Sequence, residues 1–381
     1  MAQPLKRRYL FIDLLRFVAV LLMIEGHVFD ALLSPQVRAY PHFYIHDFFH
    51  GFVAPAFLFS SGIAYGVSTI KRWEEHIHIG PRVRQRVGRL LGLIAIGYAL
   101  HLPYFSLRKT IASASPAEIH SLLQSDALQC IAVTLLLLQI GVFLTRNKRI
   151  FIGVVAACAA AVIFSAPFVW SAHLSGRLPA WLVSYLNAEN GSWFPLVPWS
   201  AYVLCGVIFG YVFVNASQKR RAVFRMSASV VFSLGIILIA LAVMYLPFDV
   251  YPAHDFWKTN PAMFFIRMSV VSIIASVFFL TEDFIKTPPR IPLLMGRESL
   301  FIYIVHLLIV YGSVLNRGLS QWIGPTLNVV QSLGMFALVL AAITLITVLW
   351  GELKTRHEST ARWIRTGGAA VFIFEFIRRP W

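Results

Sequence analysis

Arg16 and His27 stand eleven residues apart in one apolar run, Arg7–Leu33. At about 100° per residue that spacing puts both on nearly one helix face, ~16 Å apart along the axis. A histidine is the commonest general base near neutral pH. An arginine offers a planar fork of donors to phosphate or carboxylate. Asp13, three residues before Arg16, shares its helix surface and suits a carboxylate that fixes the guanidinium. Glu25 points away from the Arg16–His27 face and is left to pair with another helix. A charged Arg or Asp at the centre of a membrane helix costs ~2.5–3.5 kcal/mol, so a run that keeps several such groups is using them.

Three further runs carry polar groups inside apolar surroundings. His46 and His50 are four apart on one helical face, with Asp47 adjacent. The spacing permits two metal ligands, but no third ligand can be named and no metal is expected. The pair reads as a polar cluster at the membrane interface, with His50 lining the site. Asn190–Gly210 sets Trp193 and Trp199 beside Pro195 and Pro198. Trp199 suits the rigid wall of a sugar-binding vestibule, or else a membrane anchor. Ser299, Tyr303 and His306 recur at four and three residues and share a face. A tyrosine and a histidine on one intramembrane face are expected to line a site rather than meet lipid. Arg267 lies near the outer end of its span, where it is expected to snorkel.

These residues need long helices to hold them, and the composition supplies them. The chain has 381 residues, 58% hydrophobic and 13% charged, with a mean hydropathy of +0.71. Soluble domains carry about 25% charged residues. The expectation is an all-α integral membrane protein with about ten transmembrane helices. They run near 9–33, 49–70, 88–106, 126–145, 149–170, 195–215, 226–246, 262–281, 298–315 and 330–350. Residues 1–351 form one transmembrane domain. Residues 352–381, which mix Arg with Trp363, Phe372, Phe374, Phe376 and Trp381, form an interfacial amphipathic tail. Of 33 Lys and Arg residues, 25 fall on one side of this layout and six on the other. By the positive-inside rule both termini are cytoplasmic.

The net charge of +16 is spread over short loops, which makes it a topology signal and argues against a nucleic-acid partner. The most basic loop, residues 71–89, attracts anionic lipid or helps hold a phosphate-bearing donor. Cys130, Cys158 and Cys205 lie in apolar runs and read as small buried hydrophobes.

In order along the chain, Ile12-Asp13-x-x-Arg16, His27, APAFLFSSG, FPLVPW and GRESLFIYIVH resemble the transmembrane acyltransferase superfamily. The nearest likeness is to bacterial relatives of the heparan-α-glucosaminide N-acetyltransferase catalytic domain. The wider group includes the acyltransferase-3 enzymes, whose Arg-x10-His signature is met by Arg16 and His27. The resemblance covers roughly residues 7 to 312. It implies transfer of an acyl group, acetyl above all, from cytoplasmic acyl-CoA to a sugar or other hydroxyl or amine acceptor at or across the membrane. It implies His27 as the catalytic histidine, Arg16 and Asp13 at the donor, and Tyr303 and His306 on the polar face of the late helix. Phe17 stands where the family carries glycine and narrows the donor passage. Membrane lipids and a carbohydrate or glycolipid acceptor are the implied partners, in a bacterial inner membrane. The rival reading is a multi-pass transporter that uses the same intramembrane charges for coupling.

Overall fold

The computed structural model describes residues 9–217, 233–239, 241, 251–281, 284–285 and 287–379. The described residues are almost wholly helical. The only paired strands among them are two-residue pieces, Gly312–Ser313 and Asn316–Arg317, in an antiparallel hairpin. Among the described residues, six helices are long and apolar enough to cross a membrane: Phe43–Lys71, Ala127–Thr145, Lys148–Ser171, Leu196–Asn215, Pro261–Thr281 and Val329–Arg356. These answer six of the ten expected spans.

The other four differ for identifiable reasons. Leu10–Leu32 is a regular helix of 23 residues, but Asp13, Arg16, Glu25 and Asp30 interrupt its apolar character. Pro81–Leu100 is helical with a basic first half. The expected span 226–246 lies largely outside the described residues. The expected span 298–315 is a 12-residue helix, Ser299–Val310, bent by 80° from Arg290–Arg297. Twelve residues reach only ~18 Å, so only the bent pair taken together has the composition of a span.

The chain divides into two units. The first comprises Met1–Val53, Leu102–Ser115 and Thr281–Trp381. Its centre is the Leu10–Leu32 helix, which packs against Arg290–Arg297, Ser299–Val310 and Val329–Arg356. Phe11, Leu15, Val20, Ile24, Val28 and Leu32 recur every four or five residues and are all buried. That stripe is the helical period written in apolar side chains. The helix stops where Leu33 turns extended and Ser34 N donates to Leu327 O at 2.9 Å. Gly296 lies so close to the first helix that a Cβ there would stand 2.0 Å from Asp13 O. The Val329–Arg356 helix opens with a capping box. Asn328 Oδ1 accepts from Gln331 N at 2.9 Å, and Gln331 Oε1 accepts from Asn328 N at 3.1 Å. Such a cap stabilises by about 0.5–2 kcal/mol.

Residue 352, where the tail is expected to begin, lies inside a helix. That helix runs on to Arg356, and a second one spans Glu358–Arg378. That last helix touches the Leu107–Ser113 helix and sets Phe372 5.1 Å from Phe105. Trp363, Val371, Ile373, Phe374 and Ile377 are exposed on it.

The second unit comprises Ala54–His101 and Pro116–Leu280. Lipid tails are as apolar as leucine, so helices in a membrane gain by close packing of small residues. Gly62 and Gly206 show this. A Cβ at Gly62 would lie 2.0 Å from Val203 O, and one at Gly206 would lie 2.2 Å from Phe59 O. Cys130 is buried and Cys205 partly so, but Cys158 is exposed, against expectation. The Lys148–Ser171 helix turns that face outward.

Candidate active site

His27 Nδ1 lies 2.7 Å from His306 Nε2. The two ring planes are within 5° and their centroids 4.9 Å apart, which suits an in-plane N–H···N bond. His306 is fully buried, and its Nδ1 lies 2.8 Å from Ile302 O. A carbonyl only accepts, so His306 Nδ1 carries the proton. In the neutral ring Nε2 is then an acceptor, and His27 Nδ1 must donate to it. The basic atom of His27 is therefore Nε2. A backbone carbonyl thus sets the tautomers of two histidines in series. Proton positions here follow from the heavy-atom partners.

Aromatic rings complete the setting. Tyr303 meets His306 edge-on at 5.6 Å, and Tyr311 meets His27 edge-on at 5.6 Å. Tyr311 donates to Asp30 Oδ2 at 2.7 Å, and Asp30 pairs with Arg38 at 3.2 Å. The expected Tyr303–His306 face is therefore present and reaches His27. Ser299 opens the same helix, partly buried.

Asp13 is buried and accepts from Arg297 Nε at 3.0 Å. Sequence spacing pointed Asp13 at Arg16; the structure adds Arg297, 284 residues away. The close approach at Gly296 is what brings Arg297 within reach. Arg16 is partly buried on the same helix. Glu25 turns to a different helix, as its angle predicted. Its Oε1 lies 3.0 Å from His46 Nε2, and its Oε2 pairs with His50 Nε2.

The remaining predicted residue, Trp199, belongs to the second unit. It is buried, with Phe194 edge-on at 4.9 Å and Tyr202 at 5.8 Å. Its Nε1 has no hydrogen-bond partner among the described residues. Arg267 was expected to snorkel, but it is buried. Of the basic stretch 71–89, Arg86 is taken up internally. It donates to Thr69 Oγ1, Gln139 Oε1 and Ser68 Oγ, each at 3.0 Å. It also lies over the Tyr65 ring at 4.5 Å. Lys71, Arg72, Arg84 and Arg89 remain exposed.

The family model described as heparan-alpha-glucosaminide N-acetyltransferase, catalytic, matches residues 8–250. The chain belongs to this family. The heparan-alpha-glucosaminide N-acetyltransferase family is an acetyltransferase family, and with the long apolar helices it marks the chain as an integral membrane protein. The matched stretch contains Asp13, Arg16, Glu25, His27, His46, His50 and Trp199, while Ser299, Tyr303 and His306 lie beyond it. No curated protein matches the chain.

Proposed function

We propose that the chain is an acyl-CoA-dependent acyltransferase. It moves an acyl group, acetyl above all, to a hydroxyl or amine of a sugar or glycolipid acceptor at the membrane. The observation that carries this is the Ile302 carbonyl–His306–His27 series, which leaves His27 Nε2 as a base.

His27 Nε2 takes the proton of the acceptor O–H or N–H as that atom attacks the thioester carbonyl carbon. The carbon–sulfur bond breaks, and the coenzyme A thiolate leaves and receives the proton. While His27 is protonated, its Nδ1–H donates to His306 Nε2, which stabilises the imidazolium. A thioester is already activated, so positioning and one base suffice. Arg16 and Asp13 bind the donor's phosphate or pantetheine end. The ~16 Å between Arg16 and His27 accommodates an extended arm. His50 lines the acceptor side, and both termini face the cytoplasm of a bacterial inner membrane.

Purified protein incubated with radiolabelled acetyl-CoA and a panel of sugar acceptors tests this. The expected result is labelled acceptor with wild type and none with His27→Ala. Undiminished transfer by His27→Ala overturns the assignment. Label retained on wild type without acceptor would replace the general-base step with an acyl-imidazole step.

A further inference from the structure

Glu25, His46 and His50 offer three donor atoms that all lie within 4.8 Å of one another. From sequence alone the two histidines had no third ligand. The fold supplies it from a different helix. We infer that these three residues form a binding site for a zinc-class divalent cation, with at least one coordination position open.

The donor set is two imidazoles and one carboxylate, the chemistry that borderline divalent metals select. His46 and His50 sit one helical turn apart, with ring centroids 4.2 Å apart, and both turn Nε2 toward Glu25. His46 Nδ1 lies 3.2 Å from Asp47 Oδ1. A carboxylate only accepts, so that contact places the proton on Nδ1. In the neutral ring a lone pair on Nε2 then faces Glu25 Oε1 at 3.0 Å. Two acceptors at that distance need a positive charge between them, either a metal ion or a second proton on the ring. A carboxylate behind a metal-bound imidazole is also the usual outer support of such sites. Glu25 Oε2 is buried and meets His50 Nε2.

The backbone makes room for the third ligand. A Cβ at Gly26 would stand 2.7 Å from His50 Nδ1, so only glycine beside Glu25 admits the His50 ring. The side chains of Glu25, His46 and His50 keep 15%, 26% and 18% exposure, which leaves an ion a way in. Three protein ligands with an open position are the arrangement of sites where a metal activates an oxygen. The inference does not depend on the role given to His27.

The test uses the full chain, purified in detergent through a tag without histidine, stripped with chelator and titrated with Zn²⁺ or Co²⁺. The expected result is saturable uptake of one equivalent, unaffected by excess Mg²⁺. Glu25→Gln and His50→Gln are each expected to weaken it by about tenfold or more, and exposed His42→Ala to leave it unchanged. Gel filtration checks that the variants remain folded. X-ray absorption on zinc-loaded wild type needs no variant at all, and should show two imidazole nitrogens at about 2.0–2.1 Å. Wild type that takes up no zinc at micromolar free metal, or a zinc shell without imidazole, would overturn the inference. The cluster would then be a protonated imidazolium–carboxylate pair.

Discussion

His27 and His306 are joined edge to edge at 2.7 Å although 279 residues separate them in sequence. His306 in turn is anchored on the Ile302 carbonyl of its own helix. His306 is a positioning residue, and His27 carries the chemistry. His27→Ala should cost about 10²–10⁴-fold in acyl-CoA turnover. His306→Gln should lower kcat and move the pH–rate profile while KM for acyl-CoA stays. A KM change with an unmoved profile would remove His306 from the proton path.

The Asp13–Arg297 pair spans two helices, with Asp13 buried and Arg297 partly exposed. Arg297→Ala should destabilise more than the double variant Asp13→Asn/Arg297→Ala, because only the single change strands a buried carboxylate. A double-mutant cycle in detergent should return a coupling of ~0.5–3 kcal/mol. Strict additivity would show that the pair contributes nothing.

Gly296→Ala and Gly88→Ala should act in opposite directions. The first drives a methyl into the Asp13 carbonyl, and backbone cannot swing aside as a flexible side chain would. Overpacking of this kind costs ~1–3 kcal/mol. Gly88 has open space around its Cβ position, and alanine there should gain ~0.5–1 kcal/mol. Thermal melts of both variants decide the matter.

His76 lies in the short Trp73–His76 helix that follows the Phe43–Lys71 span. Burial, then the positive charges of Arg86 and Arg72, push its pKa down to about 4. Above the ordinary 6.5 the ring is neutral in both folded and unfolded chains, so its contribution to stability does not change with pH there. Between 6.5 and about 4 only the unfolded chain takes up the proton, so stability falls as pH falls through that window. The melting temperature should therefore drop across it in wild type and drop less in His76→Gln. Equal slopes would show that other groups carry the acid sensitivity.

The long uninterrupted apolar runs were legible as helices because length and hydropathy are properties of the chain alone. The face shared by Tyr303 and His306 was legible for the same reason, since helical spacing fixes it. Glu25 was legible in direction but not in partner: its angle turned it from His27, and only the fold could set His46 and His50 beside it. Arg297 as the mate of Asp13 left no trace in local spacing. The bend at Glu298 was hidden because one charge in an apolar run does not reveal that two short helices meet at 80°.

The Ile302 carbonyl has one more consequence. In many histidine-based sites a carboxylate stands behind the base, and it brings a full negative charge with it. Within a membrane such a charge carries a cost of several kilocalories. Here an uncharged peptide group does that orienting task, so the dyad at rest adds no net charge to its surroundings. It also cannot be deleted by replacing a side chain. The direction in which the proton runs belongs to the main chain.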